Sequence, residues 1–278
     1  MKYALFMGCK IPFYQPDYGT STRAILKKLK VKTIEPHFNC CGYPNRDIDF
    51  TSFILSSARN MAIAEKKKVS IITPCKCCYG SFLHTIYALK NDKSLLEHIN
   101  KELSREGLKY TGSLKIMHLL QFLHNVIGVE TLKKHIVKSL DLSIAVHYGC
   151  HALRPSEITH FDNPYSPSIF ENVMNVTGAE IVDWSKRLEC CGNPLHGKNN
   201  ELSLQMTENK LQDAKENSAD CIATACTYCQ IQFDTVQDDQ FSDHIMPSVL
   251  FTQLLGYAMG LEEKKLGIEN NKTAVVFA

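Results

Sequence analysis

Short apolar runs alternate with amphipathic segments along this chain. Uninterrupted apolar runs predict buried strands at residues 3–7, 70–73, 144–148 and 222–225. Between these runs, apolar residues recur at three-to-four spacing, which predicts helices over residues 22–30, 52–67, 170–176 and 203–217. A further apolar segment at residues 249–261 predicts a helix that packs in the core or in a subunit interface. Because strands alternate with helices, the expected fold class is α/β, with small parallel sheets flanked by helices.

The cysteines follow a pattern that occurs twice. The first half contains Cys9, the adjacent pair Cys40 and Cys41, and then Cys75-x-x-Cys78; the second contains Cys150, the pair Cys190 and Cys191, and then Cys226-x-x-Cys229. The intervening segments are 30 and 33 residues long in the first half and 39 and 34 in the second, which indicates a nine-residue insertion between Cys150 and Cys190. We infer an internal duplication, with pseudo-symmetric half-domains at residues 1–142 and 143–278.

The predicted strands place these cysteines together. In parallel α/β sheets, the loops that follow the carboxyl ends of the strands form the ligand crevice. Cys9 and Cys150 follow the first predicted strand of their halves, and Cys75 and Cys226 directly follow a later one. We therefore expect each half to gather its five thiols at one edge of its sheet.

Composition narrows the classes of function. The chain has 278 residues, of which 44% are hydrophobic and 22% charged, with a formal net charge of +2. This composition excludes disorder, and the near balance of charges disfavours nucleic-acid binding. Since no apolar stretch reaches the ~18 residues of a membrane span, a cytoplasmic chain without a span is expected. The twelve cysteines are too few for a disulfide scaffold, so in a reducing compartment they indicate a metal site.

Several metal sites are compatible with five thiols per half. Structural zinc takes four ligands and would leave one thiol idle in each half. The Cys-x-x-Cys-x-x-Cys-x-x-x-Cys-Pro run of ferredoxins is absent, which excludes an ordinary ferredoxin module. An iron–sulfur site with an adjacent cysteine pair remains, and in extended backbone the two neighbouring thiols point to opposite sides. Gly42 and Gly192 let the backbone turn away directly after each pair.

The complete pattern, present twice, resembles the cysteine-rich CCG domain pair in the B subunit of heterodisulfide reductase. The resemblance covers essentially the whole chain. It implies that each half holds a non-cubane [4Fe–4S] cluster on five cysteines, and that a disulfide substrate is split between the two clusters. The ligands that it implies are Cys9, Cys40, Cys41, Cys75 and Cys78 in the first half, and Cys150, Cys190, Cys191, Cys226 and Cys229 in the second.

The residues after each cysteine pair refine this expectation. Methanogen members have Pro-Ala-Pro-Gly after the first pair, whereas this chain reads Gly-Tyr-Pro-Asn-Arg there and Gly-Asn-Pro-Leu-His after the second pair. These residues are similar to the heterodisulfide-reductase-like proteins of bacterial sulfur metabolism. That resemblance implies a sulfur-oxidising complex that acts on protein-bound or low-molecular-weight sulfur, in place of the coenzyme M–coenzyme B heterodisulfide. The chain has no Gly-x-Gly fingerprint for flavin or nicotinamide. The resemblance implies that electrons come from two partners, the ferredoxin-like C subunit and the flavin-containing A subunit of heterodisulfide reductase.

Two other functions remain open. CCG domains also relay electrons in 2-hydroxy-acid and succinate oxidising complexes, although those relatives often have an attached ferredoxin module or an incomplete motif, and this chain has neither. A zinc-stabilised scaffold is the third possibility.

Other residues with potential chemical roles lie near the motif. His151 and His196 are the candidate proton donors for the released thiols. Cys77 and Cys221 lie outside the motif and are expected to be small buried hydrophobes. Arg46, Arg154 and Lys198 follow the cysteine loops, where they either attract an anionic substrate or stay solvated.

Overall fold

The computed structural model describes residues 2–273 and 275–277. Within these residues the strands form two parallel four-stranded sheets, which confirms the α/β class. The first sheet has the order β2-β1-β3-β4 and consists of β1 (Lys2–Leu5), β2 (Lys32–Ile34), β3 (Ser70–Thr73) and β4 (Ile116–His118). The second has the order β6-β5-β7-β8 and consists of β5 (Ser143–His147), β6 (Glu180–Ile181), β7 (Cys221–Thr224) and β8 (Ser248–Leu250).

Helices flank both sheets. Those of the first half are α1 (Lys10–Tyr14), α2 (Pro16–Lys28), α3 (Phe50–Lys66), α4 (Lys76–Asn91), α5 (Lys93–Ser104), α6 (Leu119–Gln121) and α7 (Val129–Lys133). Those of the second half are α8 (Ser156–Thr159), α9 (Ile169–Asn175), α10 (Asn200–Glu216), α11 (Thr227–Gln230), α12 (Gln237–Gln240), α13 (Phe251–Ala258) and α14 (Glu263–Leu266). Short 3₁₀ turns follow the cysteine pairs at Tyr43–Asn45 and Asn193–Leu195, and π-helical turns occupy Phe122–Ile127 and Ile231–Val236.

The two halves repeat each other in detail. Helices α3 and α10 both have 17 residues and begin after equivalent N-cap residues, Asp49 and Asn199, whose side chains accept from the backbone of the first turn. One turn further on, the Ser57 hydroxyl donates to the Cys41 carbonyl at 2.6 Å, and the Thr207 hydroxyl donates to the Cys191 carbonyl at 3.1 Å. These matched contacts support the duplication. The division of the chain at 142/143 stays a prediction.

Several elements differ from the sequence prediction. Residues 129–140 have a helical pattern of apolar positions, but the helix that begins at Val129 ends at Lys133. The backbone N–H groups of Val137 and Lys138 donate instead to the Ala258 carbonyl. The apolar segment 249–261 begins as strand β8, since Val249 pairs with Ala223 of β7, and becomes helical only at Phe251. The prediction of one continuous helix there is wrong.

Each half also packs against the other. Helices α13 and α14 pack on α2 of the first half, where the hydroxyls of Ser21 and Thr252 are hydrogen-bonded at 2.7 Å. In the opposite direction, Tyr79 of α4 donates its hydroxyl to the Thr159 carbonyl at 2.6 Å. Thr159 belongs to the longer connection after Cys150, which therefore reaches the first half.

Candidate metal centres

The five motif thiols of the first half line one cavity. Cys9 follows β1, Cys40 and Cys41 follow β2, and Cys75 and Cys78 lie at the start of α4. The Sγ atoms of Cys9 and Cys40 are 3.5 Å apart. Cys9 is exposed and Cys40 is partly exposed, whereas the other three are buried. The first set therefore has one edge open to solvent.

The second half repeats this arrangement with less exposure. Its five motif thiols line one cavity: Cys150 follows β5, Cys190 and Cys191 follow β6, and Cys226 and Cys229 flank the start of α11. Cys150 and Cys190 are partly exposed, and the other three thiols are buried. The geometry thus brings together the cysteines that the spacing predicts, although their role as ligands stays a prediction.

The glycine after each cysteine pair has a left-handed backbone. Gly42 has φ +84° and Gly192 has φ +92°, and each donates its N–H to the preceding Cys40 or Cys190 Sγ at 3.4 and 3.5 Å. A Cβ at Gly192 would lie 2.5 Å from the Ser203 carbonyl oxygen. The close approach of α10 and the turn itself therefore both require glycine here.

Hydrogen bonds among the thiols raise the pKa of some, such as Cys78 and Cys229, and lower the pKa of others. Hydrogen bonds from Cys40 and Cys78 hold the pKa of the Cys41 thiol well below its usual range. In the second set, the hydrogen bond from Cys229 contributes most to lowering the pKa of Cys226 to about 6. Each of the twelve cysteines, all within the described residues, is a free thiol. The soft, partly ionised donors of both sets fit a thiophilic metal.

The two sets meet at the junction of the halves. The Sγ atoms of Cys75, Cys77 and Cys226 all lie within 4.8 Å of one another, and those of Cys77 and Cys226 are 3.8 Å apart. Cys77, Tyr43 and Tyr228 line both cavities. Cys77 is buried as expected, but its thiol lies among the motif thiols. Cys221 is buried in β7 and lines neither cavity.

His118 ties the two cysteine loops together. Its Nε2 lies 2.9 Å from the Pro74 carbonyl and 3.2 Å from the Ala225 carbonyl, the residues that precede Cys75 and Cys226. Burial lowers the pKa of His118 to about 3, so the ring is neutral. Its Nδ1 accepts from the Leu120 N–H, which leaves the proton on Nε2 for the two carbonyls. The sequence contained no signal for this residue, because its role depends on how the halves pack.

The histidines differ in their access to the thiols. His151 Nδ1 lies 3.3 Å from Cys150 Sγ, and its Nε2 is hydrogen-bonded to the Tyr43 hydroxyl at 3.0 Å. His147 is buried, with Nε2 3.3 Å from Cys229 Sγ. His196 is exposed and lines neither cavity. The geometry therefore favours His151 over His196 as a proton donor.

Two buried lysines lie beside the second set. The Lys76 ammonium donates hydrogen bonds to the carbonyls of His147 and Tyr148, at 3.2 and 2.6 Å. This side chain lines the second cavity. Lys210 donates to the Lys186 carbonyl and lies 4.8 Å from the centroid of the Trp184 ring. Burial lowers the pKa of each to about 8, so both are mainly protonated at neutral pH. Sequence reasoning missed both, because neither position suggests burial.

The basic residues after the cysteine loops lie outside the cavities. Arg46 is 3.5 Å from the Asp47 carboxylate and partly exposed. Arg154 and Lys198 are exposed, and none of the three lines either cavity. These positions agree with solvated surface charge. In the part of the chain that the structure describes, no helix is both long and apolar enough to cross a membrane.

Comparison with known proteins supports the same picture. A family model described as a cysteine-rich domain, CCG, matches residues 3–82 and again residues 144–234. The B subunit of the ferredoxin/F(420)H(2)-dependent CoB-CoM heterodisulfide reductase of Methanosarcina acetivorans is 34% identical over 97% of this chain and 93% of its own. The 8-methylmenaquinol:fumarate reductase membrane anchor subunit of Wolinella succinogenes is 31% identical over 97% of this chain and 96% of its own.

One solved structure shares the fold. The crystal structure of a hypothetical protein from Helicobacter pylori superposes with a TM-score of 0.81 at 19% sequence identity. The match covers 99% of this chain and 52% of that one, so this chain spans about half of that protein's length.

Proposed function

We propose that this chain, a member of the family of duplicated CCG cysteine-rich domains, splits or forms a disulfide between two non-cubane [4Fe–4S] clusters. The premise is its homology to the B subunit of heterodisulfide reductase. The main support is that the two five-thiol sets face each other across Cys77, Tyr43 and Tyr228. The proposed ligands are Cys9, Cys40, Cys41, Cys75 and Cys78 for one cluster, and Cys150, Cys190, Cys191, Cys226 and Cys229 for the other.

The donor set supports iron and sulfide over zinc. Each cavity offers five motif thiols, whereas a closed tetrahedral zinc site uses four ligands. A bound cluster of this kind supplies one-electron transfers and soft iron that binds sulfur. The backbone N–H groups of Gly42 and Gly192 stabilise negative charge on Cys40 and Cys190.

The chemistry explains why two sets are needed. A disulfide takes up two electrons and two protons and yields two thiols, so two one-electron sites beside one S–S bond match the stoichiometry. The residues shared by both cavities form the wall where such a bond would lie. His151, in contact with Cys150 and with the Tyr43 hydroxyl, donates a proton to a released thiolate. His196 stays a weaker candidate, because its exposed position is outside both cavities.

The proposed partners supply the electrons. The Methanosarcina acetivorans relative is by name part of a ferredoxin- or F(420)H(2)-dependent enzyme. By the family resemblance, the ferredoxin-like C subunit and the flavin-containing A subunit would take this role here. The exposed thiol of Cys9 gives such a donor access to the first set.

A second candidate is an electron-transfer protein without disulfide chemistry. The observation that favours it is the 31% identity to the fumarate reductase anchor subunit of Wolinella succinogenes. Adding a low-molecular-weight disulfide to the reduced, iron-loaded chain separates the two. Disulfide reduction between the sets requires that the spectra of both clusters change and that thiols form, whereas a pure relay would show neither effect.

We expect the anaerobically reconstituted chain to bind about eight irons and a similar amount of acid-labile sulfide, because each thiol set suffices for one four-iron cluster. Iron, sulfide and zinc assays on the same sample measure this. About four irons, or stoichiometric zinc without sulfide, would contradict the proposed cofactors.

We expect His151→Phe to lower the rate of disulfide reduction roughly tenfold. This is less than the usual ~10²-fold or larger effect of a general acid, because thiolates with a pKa of about 8.5 leave without full protonation. The assay follows oxidation of a reduced viologen dye by the disulfide. His196→Phe is the matched control and should stay within about twofold of the parent chain. An equal loss in both variants, or none in either, would exclude His151 as the donor.

A further inference from the structure

We propose that the two thiol sets are electrochemically unequal: the second set holds the higher reduction potential, so the first electron delivered to the pair resides there. This inference rests on the proposed function, since it requires iron–sulfur clusters on both sets. The duplication provides the comparison, because each residue beside one set has a counterpart beside the other.

The first difference is a buried ammonium on the second long helix. Asn60 of α3 and Lys210 of α10 each lie 19 residues after the second cysteine of their pair, Cys41 and Cys191. Asn60 is a neutral amide that donates to the Asn39 and Cys40 carbonyls, both at 3.1 Å. Lys210 instead brings a positive charge that is 1% exposed.

The second difference is the residue after the first cysteine of each Cys-x-x-Cys segment. In the second half this residue is Thr227, whereas in the first half it is Lys76. The Lys76 side chain leaves its own set and reaches the end of β5, where it lines the cavity of Cys150 and Cys229. Its ammonium lies 5.2 and 5.1 Å from the ring centroids of Tyr148 and Phe170, which favour a cation there.

The third difference lies at the end of the first strand of each half. His147 contacts Cys229 Sγ through Nε2 at 3.3 Å, and its Nδ1 has no hydrogen-bond partner among the described residues. With its proton on Nε2, this ring would donate to the Cys229 sulfur once that sulfur is a deprotonated ligand. Its counterpart Phe6 packs against Phe38 and Phe82, with ring centroids 5.1 and 4.8 Å away, and offers no donor.

These differences act in one direction. Reduction adds a negative charge, which buried cations and hydrogen bonds to sulfur stabilise, and both raise a reduction potential. Near the first set, Lys10 is partly exposed, so water screens its charge. Near Lys76, the Glu171 carboxylate is already paired with Arg187 at 3.1 Å. Solvent at Cys9 also favours reduction of the first set, but the two buried ammonium groups outweigh it because charges act more strongly where water is excluded.

Redox titration of single-cluster variants tests the order of the potentials. In the anaerobically reconstituted chain, Cys190→Ser should leave the first cluster and Cys40→Ser the second, each followed by electron paramagnetic resonance. We expect the cluster in Cys40→Ser to have the more positive midpoint. Equal midpoints or the reverse order would overturn the inference. A chain that binds no iron refutes the proposed function as well, and iron and sulfide assays recognise that case.

Charge removal tests the cause. In the Cys40→Ser background, we expect Lys76→Met to lower the ratio of reduced to oxidised second cluster at least tenfold at a fixed potential. A tenfold change corresponds to a downward shift of the midpoint potential of about 59 mV for one electron. The matched control, Lys10→Met beside the first set in the Cys190→Ser background, should change the corresponding ratio of the first cluster less than threefold. If Lys76→Met does not fold, His147→Phe, which installs the first-half residue, should also shift the second midpoint downward. No shift in either variant, or an equal shift in Lys10→Met, would overturn the assignment.

Discussion

Cys190→Ser is expected to remove about half of the bound iron and to abolish disulfide reduction. Cys190 is the first cysteine of its pair, and its Sγ accepts the Gly192 N–H at 3.5 Å inside the second cavity. Without this thiolate the second set loses a soft ligand and a negative charge that iron requires. Since a two-electron cleavage needs both sites, no turnover should remain. Iron content, acid-labile sulfide and viologen-linked activity measure these effects.

Two variants control this result. Cys40→Ser should cause the same loss from the first set, which separates loss of one cluster from general misfolding. Cys221→Ser should leave the iron content unchanged, because Cys221 is buried in β7 and lines neither cavity. An iron loss in Cys221→Ser equal to that in the other two would contradict the ligand assignment. Substantial activity in either single-cluster variant would mean that one site alone does the chemistry.

Gly192→Ala is expected to destabilise the protein by about 2–5 kcal/mol and to impair loading of the second set. An alanine at φ +92° costs roughly 1–2 kcal/mol. Its Cβ would also lie 2.5 Å from the Ser203 carbonyl oxygen, and such overpacking adds roughly 1–3 kcal/mol. Urea unfolding of the reconstituted chain measures the loss as a lower midpoint.

Gly197→Ala is the matched control for backbone strain. Gly197 has a similar φ of +82°, but no atom lies within 4 Å of the position that its Cβ would take. We expect a loss of only roughly 1–2 kcal/mol there and full iron loading. Equal destabilisation of the two variants would mean that the close approach of α10 to the Gly192 turn contributes nothing.

The spacing of the cysteines predicted most of the site. Thiols that follow parallel strands must meet at one sheet edge, and Cys9, Cys75, Cys150 and Cys226 do so. The long helices α3 and α10 were also predictable, because 17 residues present a clear apolar period. Strands of two or three residues, such as β2 and β6, were missed because they are too short to show alternation.

What the sequence could not reveal depends on contact between the halves. Lys76 looks like a surface lysine in its own segment, but its ammonium is buried where it meets the carbonyls of His147 and Tyr148 at the end of β5. Tyr43 and Tyr228 become neighbours, with ring centroids 5.5 Å apart, only when the two sheet edges face each other. Periodicity describes one segment at a time, so it contains no information about such pairs.

Because segments of each half pack on the other half, the first half cannot complete its structure until the second half has been synthesised. Helix α2 is made early, but the surface that buries Ser21 and Ile25 is completed by α13, whose Thr252 and Gly256 contact them. Likewise, His118 can donate to the carbonyls of both Pro74 and Ala225 only after Ala225 of the second half has been synthesised. A nascent first half on the ribosome therefore has its cysteines but not its final covering. Iron delivered before release of the finished chain would meet an incomplete pocket, so we expect the finished chain to bind the proposed clusters more completely than its first half alone.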